Sequence, residues 1–184
     1  CFDRIYVGGQ ISADKQGAAV HDGDIILQTQ AIYDFIDEVV KDGGGSLSDI
    51  IHLKICFKHN SKDSSGVPFL TKIIDVTKER FGLNCPAITC FGVDLLYPGL
   101  VLEIDAMAFK STHKRLSRNP TVGSAYDVNF ADVISASGET WVGGQEAFDS
   151  GGNLLFEGDN LGQTQVVFDK IQKLLNEAGL CVDD

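Results

Sequence analysis

The chain has 184 residues, 43% of them apolar and 22% charged, the balance of an ordinary globular protein with ample surface to bury. Its 15 Lys and Arg against 26 Asp and Glu give a formal charge of −11 and are scattered rather than gathered into a stripe, so nucleic acid is an unfavoured partner. No run approaches the roughly 18 uncharged apolar residues of a membrane span, and the five cysteines (Cys1, Cys56, Cys85, Cys90, Cys181) lack paired spacing, so a soluble cytoplasmic protein with reduced thiols and no metal or membrane partner is expected.

In chain order, Ile5 to Ser12 reads as a strand, Asp14 to Gly17 as a turn, and Ala18 to Val20 as a short pairing strand. Asp24 then offers a helix cap, and Ile25, Ile32, Phe35, Ile36, Val39 and Val40 recur at helical spacing up to the stop at Gly43-Gly44-Gly45. Ile50 to Phe57 is rich in branched residues and predicts a strand, followed by a polar loop and a second helix from about Pro68 to Phe81. Ile88 to Val93 and Leu100 to Phe109 predict two more strands joined by a turn at Tyr97-Pro98-Gly99. The order ββαβαββ predicts an α+β sheet with two helices on one face, its other face needing a partner. Ser111 to Gly123 reads as an exposed linker, and Phe130 to Ala136 as a further strand.

The chain also repeats itself, without a gap, at an offset of 135 residues. Val7-Gly8-Gly9-Gln10 aligns with Val142-Gly143-Gly144-Gln145, Gly23-Asp24 with Gly158-Asp159, and Gln28-Thr29-Gln30 with Gln163-Thr164-Gln165. Between Ile5–Asp49 and Thr140–Asp184, 15 of 45 positions are identical, where chance composition allows about three. The second copy carries its own cap, Asp159, and its own stripe, Val167, Ile171, Leu174, Leu175 and Ala178. A period this long means two domain copies rather than a solenoid. The expected organisation is a domain at 1–110 lacking its first strand, a linker at 111–124, and the first half of a second domain at 125–184, together part of a longer polypeptide.

Tyr6-Val7-Gly8-Gly9-Gln10, the Gln28-Thr29-Gln30 helix start, Ser48-Asp49-Ile50-Ile51, Cys85-Pro86-Ala87 and Leu102 to Ala108 together resemble the RidA family, also called YjgF, over nearly all of residues 4 to 110. The resemblance implies a chorismate-mutase-like fold, a trimer or pseudo-trimer with ligand clefts between subunits, and hydrolysis of enamines and imines to a carbonyl compound and ammonia without metal or cofactor. Carried over residue by residue, it makes Glu103 the catalytic carboxylate that positions water. The family arginine that grips a substrate carboxylate falls on Ile88, which cannot hold an anion. Lys54 or Lys58 is a candidate substitute in space. The family's aromatic near its N-terminus falls on Phe130, and Gly9 and Cys90 complete the expected small-molecule site, a buried thiol being the favoured reading of Cys90. Gln10 is read as satisfying backbone groups. The implied function is a divergent deaminase acting on imines without the usual carboxylate; the alternative is a non-catalytic metabolite-binding or assembly module, with ribonuclease activity disfavoured by the acidic charge.

Overall fold

The computed structural model describes residues 3–95, 97–110, 114–117 and 130–183. The first part comprises β1 (Arg4–Ile11), α1 (Ile25–Asp42), β2 (Ile50–Lys58), α2 (Phe69–Phe81), β3 (Ala87–Val93) and β4 (Leu102–Phe109). The strands pair in the order β1-β4-β2-β3, with β2 and β3 parallel and the other neighbours antiparallel. A parallel pair needs a crossover, and α2 supplies it. The result is the expected α+β layering: Leu53, Ile55, Ile88, Leu102 and Ile104 from the sheet, and Ile32, Tyr33, Ile36 and Ile73 from the helices, close one core.

Two local expectations change. Ala18–Val20 forms no strand but a single bridge, Ala13 to Ala19, because Asp14 Oδ1 accepts from the N–H groups of Gln16 and Ala18 at 2.9 Å each and winds the backbone into a turn. The order is therefore βαβαββ. On α1, Phe35 and Val39 stay exposed, while Gln28, Thr29 and Tyr33 are buried beside Ile25, Ile32, Ile36 and Val40. Burial of these polar tips is tolerated because each is bonded. The Tyr33 hydroxyl meets Thr77 Oγ1 at 2.6 Å, and Gln28 Nε2 donates to the carbonyls of His21 (3.0 Å) and Gly99 (2.7 Å) while its Oε1 accepts from Val101 N. That glutamine ties the start of α1 to the approach of β4.

The second part comprises β5 (Lys114–Ser117), β6 (Ala131–Ala136), β7 (Glu139–Val142) and α3 (Asn160–Ala178), with β5, β6 and β7 forming a separate antiparallel sheet. The stretch expected as linker thus contributes β5, which pairs with β6; the rest of that stretch, residues 125–129 and Cys1 lie outside the described residues. Ala131, Ile134, Ala136 and Trp141 pack on Ile51, Ala87, Met107 and Phe109, so the second sheet covers one end of the face that α1 and α2 leave open. Arg4 pairs with Glu139 and lies 5.5 Å over the Phe109 ring, fastening the same junction.

Positions 135 apart share local geometry. Asp24 caps α1 by accepting from Ile26 N and Leu27 N, as Asp159 caps α3 by accepting from Leu161 N and Gly162 N. The bridge Ala13 to Ala19 has its counterpart in Phe148 to Leu154, and His21 and Phe156 both sit in left-handed backbone, at φ 59° and 52°. The stripe expected on α3 is nevertheless only half-buried, except for Leu174 against Val133. α1 lies between a four-stranded sheet and α2, whereas α3 rests on one small sheet. Lys170 is buried on the same helix because its Nζ donates to the Glu146 carbonyl at 2.6 Å.

Ile36→Ala is expected to lower stability by about 2–5 kcal/mol through the cavity it leaves, and Asp24→Ala by about 1 kcal/mol through the lost cap. Urea midpoints at unchanged slope measure both; a larger loss from the cap than from the core would contradict this account.

Candidate functional site

The Gly8-Gly9 pair is a bulge. Val7 pairs with Ala106 and Gln10 with Ile104, so two glycines oppose Asp105 alone and the β1–β4 register shifts. A Cβ on Gly9 would collide with the Glu103 carboxylate, which lies directly over it. Gln10 Nε2 folds back to the Gly8 carbonyl at 2.9 Å, as Gln145 Nε2 does to Gly143 at 3.2 Å. Glutamine thus serves the backbone at both copies.

On β4, Leu102, Ile104, Ala106 and Ala108 face the helices, and Glu103, Asp105 and Met107 alternate onto the other face. Glu103 stands across from Ile11 on β1 and Cys56 on β2. It lines a cavity of about 350 Å³ with Gly9, Ile11, Cys56, Val93, Asp94 and Tyr97 among its walls. Burial pushes the Cys56 thiol up, with the Lys54 charge opposing and the Glu103 and Asp105 carboxylates adding to the rise.

Ile88, Cys90 and Phe130 meet elsewhere. A second cavity, of about 200 Å³, lies between β3, α2 and the segment that follows β7, and its lining includes Leu70, Ile74, Ile88, Cys90, Phe91, Phe130 and Glu146. Main-chain bonds hold the segment to two strands: Gly143 N donates to Asp132 O of β6 at 2.9 Å and Gly144 N to Ile88 O of β3 at 2.8 Å. Cβ atoms at Gly143 and Gly144 would sit 3.3 and 3.2 Å from Ile88 O and Thr89 Cγ2, so glycine is what lets the backbone approach. The Cys90 thiol is pushed up to about 12, first by burial and then by the nearby Glu146 carboxylate and Cys56. Cys90 is partly buried, packed against the core while lining the cavity, and in this setting it is not a ready nucleophile.

The expected site residues therefore separate into two groups, Gly9 with Glu103 and Ile88 with Cys90 and Phe130, both bordered by β3. Neither Lys54 nor Lys58 lines either cavity; Lys54 Nζ pairs with Asp105 at 3.6 Å. Among the described residues no group of three or more His, Cys, Asp or Glu is placed to hold a metal ion, and no helix is long and apolar enough to cross a membrane. Glu146 escaped the sequence reading. The signal for it was present: it stands 135 residues after Ile11, a carboxylate where the first copy has an aliphatic side chain.

Residues 2–110 match the family model described as Endoribonuclease L-PSP. The match takes in more than half the chain, and the chain belongs to that family, the RidA/YjgF family its motifs resemble. A RutC family protein of Pyrococcus abyssi is 28% identical over 106 residues, covering 58% of this chain and 78% of the relative. The 3-aminoacrylate deaminase RutC of Acinetobacter baylyi is 29% identical over 104 residues, covering 56% of this chain and 77% of its own length. Among solved structures, a putative endoribonuclease of Thermotoga maritima aligns with TM-score 0.51 at 26% identity, covering 60% of this chain and 81% of that one.

At pH 8 a thiol pushed up to about 12 is thiolate in roughly one molecule in ten thousand, so iodoacetamide is expected to modify Cys90 at least about 100-fold more slowly than the exposed Cys181. Peptide mass mapping over time measures this. Equal rates would show that Cys90 is open and ionised.

Proposed function

We propose that this chain is an enamine/imine deaminase of the RidA type, acting on C=N bonds whose substrates lack a carboxylate beside the reacting carbon. The observation that carries the reading is Glu103, seated over the Gly9 bulge in a concave site, in a family whose relatives include a 3-aminoacrylate deaminase. Glu103 orients a water molecule and takes its proton as the oxygen adds to the imine carbon; the carbinolamine then collapses, the C–N bond breaks, and the nitrogen leaves as ammonia with the proton returned. No cofactor is called on. By resemblance to the family the carboxylate-gripping arginine falls on Ile88, whose aliphatic side chain cannot pair an anion, and this argues against carboxylate-bearing imines even though Ile88 lines the cavity beside that of Glu103.

The reading includes assembly. The sheet face opposite α1 and α2 leaves Tyr6 64% and Phe91 48% exposed, and a homo-oligomer, trimeric or pseudo-trimeric, covers it. In that assembly residues 125–184 act as a partial second copy of the domain at 1–110. The separation of Glu103 from Ile88, Cys90 and Phe130 favours a second reading, a binding module without turnover.

The test generates imines with an amine oxidase from alkylamines, and with an amino-acid oxidase from amino acids, in the presence of semicarbazide. Faster carbonyl release is expected for the alkylamine-derived imines, with a loss of about 100-fold in Glu103→Gln and a comparable loss in Gly9→Ala, whose methyl displaces the carboxylate. Undiminished rates in Glu103→Gln, or no acceleration with either class, would leave the binding module as the surviving reading.

A further inference from the structure

The cavity that Glu103 lines carries a charge pattern of its own. It holds about 350 Å³, and Ile11, Val93, Leu95 and Leu100 give it aliphatic walls. Its charged groups are two carboxylates, Glu103 from β4 and Asp94 from the chain leaving β3, and no lysine or arginine lines it. Among the described residues no ion pair or side-chain hydrogen bond engages either carboxylate. Lys54, on the neighbouring strand, is held by Asp105 at 3.6 Å. Burial raises the Cys56 thiol, with Lys54 opposing and Glu103 and Asp105 adding, so that part of the wall stays neutral. Tyr97 supplies an aromatic wall, and the loop that carries it is fixed. The Gly99 carbonyl accepts from Gly23 N at 3.0 Å and from Gln28 Nε2 at 2.7 Å, and Val101 N donates to Gln28 Oε1 at 3.0 Å. Gly99 itself sits in left-handed backbone at φ 81°, where a Cβ would meet Asp22 Oδ1 at 2.5 Å. The buried Gln28 thus anchors Tyr97 from two residues away. At the other end of the loop His59 N donates to Val93 O at 2.9 Å and fixes the residue before Asp94.

We infer that the Glu103 cavity takes the protonated, cationic form of a short alkyl imine, with Asp94 and Tyr97 as specificity-determining residues beside Glu103. The inference rests on the reading of this cavity as the substrate site and names the charge of what enters it. An imine without a carboxylate becomes an iminium cation on protonation, and the cation is the better electrophile. Two carboxylates favour that charge, whereas an anion is repelled by both with no cation in the wall to offset them. The alkyl group has Ile11, Val93 and Leu100 to lie against, and the Tyr97 ring favours a cation over its face. The reaction balances with no oxidant or reductant, since an iminium ion and water give an aldehyde and ammonium. Glu103 takes one proton from water as the C–O bond forms and returns it to the nitrogen. The hydroxyl proton then leaves with that nitrogen as the C–N bond breaks. Oxidation of a primary amine is the class of reaction that supplies such an ion.

The full chain is titrated calorimetrically with butyramidinium chloride, butyramide and sodium butyrate. The three share a planar head and an alkyl chain and are positive, neutral and negative in turn, and the amidinium is a stable mimic of the iminium. Butyramidinium is expected to bind most tightly and butyrate least. Glu103→Gln is expected to weaken butyramidinium about tenfold, the size of one charge-assisted contact, and to leave butyramide within about twofold. Asp94 is exposed, so Asp94→Asn is expected to weaken the cation by only about threefold. Tyr97→Leu is expected to cost about threefold and Tyr97→Phe less than twofold. The Asp94 and Tyr97 variants carry the test if Glu103→Gln fails to fold by thermal melt. No butyramidinium binding, equal or tighter binding of butyrate, or undiminished cation affinity in folded Glu103→Gln, Asp94→Asn or Tyr97→Leu overturns the inference. If Glu103→Gln abolishes imine turnover while the three ligands bind alike, the deaminase reading stands and this inference falls. If the charge series holds while no imine is turned over, the deaminase reading falls and the cavity remains a site for the cation.

Discussion

The arrangement of this molecule depends on one main-chain contact, the Gly144 N–H donating to the Ile88 carbonyl. β3 is the edge of the four-stranded sheet, and an edge carbonyl on a buried strand needs a donor. Glycine eases the approach, because a Cβ on Gly143 or Gly144 would meet Ile88 and Thr89 atoms at 3.2–3.4 Å and make these neighbours give by a few tenths of an ångström. The contact sets the height at which the second sheet sits on the first. The packing of Ala131, Ile134 and Trp141 on Ile51, Ala87 and Phe109 then follows, and with it the cavity that Phe130 and Glu146 share with β3.

The same four residues do different work in the two halves. Val7-Gly8-Gly9-Gln10 lies against its own β4 as a bulge and makes room for Glu103, whereas Val142-Gly143-Gly144-Gln145 leaves its sheet and docks on β3. Close approach sets the glycine in both places, to the Glu103 carboxylate at Gly9, where a Cβ would collide, and to β3 at Gly143 and Gly144, where a Cβ would sit tight against its neighbours. The glutamine bonds its own loop in each copy. Nothing in the motif makes it chemical; its value is spatial.

Electrostatics then divides the two cavities. Glu103 and Asp94 line one and Glu146 the other, and in neither does a lysine or arginine line the wall. Lys54, the nearest candidate along β2, is turned to Asp105. Ile88 gives the second cavity an aliphatic wall that it shares with the Glu146 carboxylate.

Much of the fold was legible in the sequence because it rests on local rules. The caps Asp24 and Asp159, the branched run of β2, the stop at Gly43 and the alternation of β4 all act within a few residues, so pattern and structure agree. Where reading failed, a distant partner had decided. Tyr33 is buried because Thr77, 44 residues away, accepts or donates to its hydroxyl, and Gln28 because Gly99 and Val101 lie beside it. α3 has the stripe of α1 but little to bury it against, so its apolar face stays half-open. By itself the sequence determined the α+β pattern and the family, since these depend on residue type and spacing along the chain. Only the tertiary structure decided that Glu103 and Ile88 line different cavities and that Glu146 belongs with the second. That separation is set by how one sheet rests on the other, and no periodicity records a contact between strands nearly sixty residues apart.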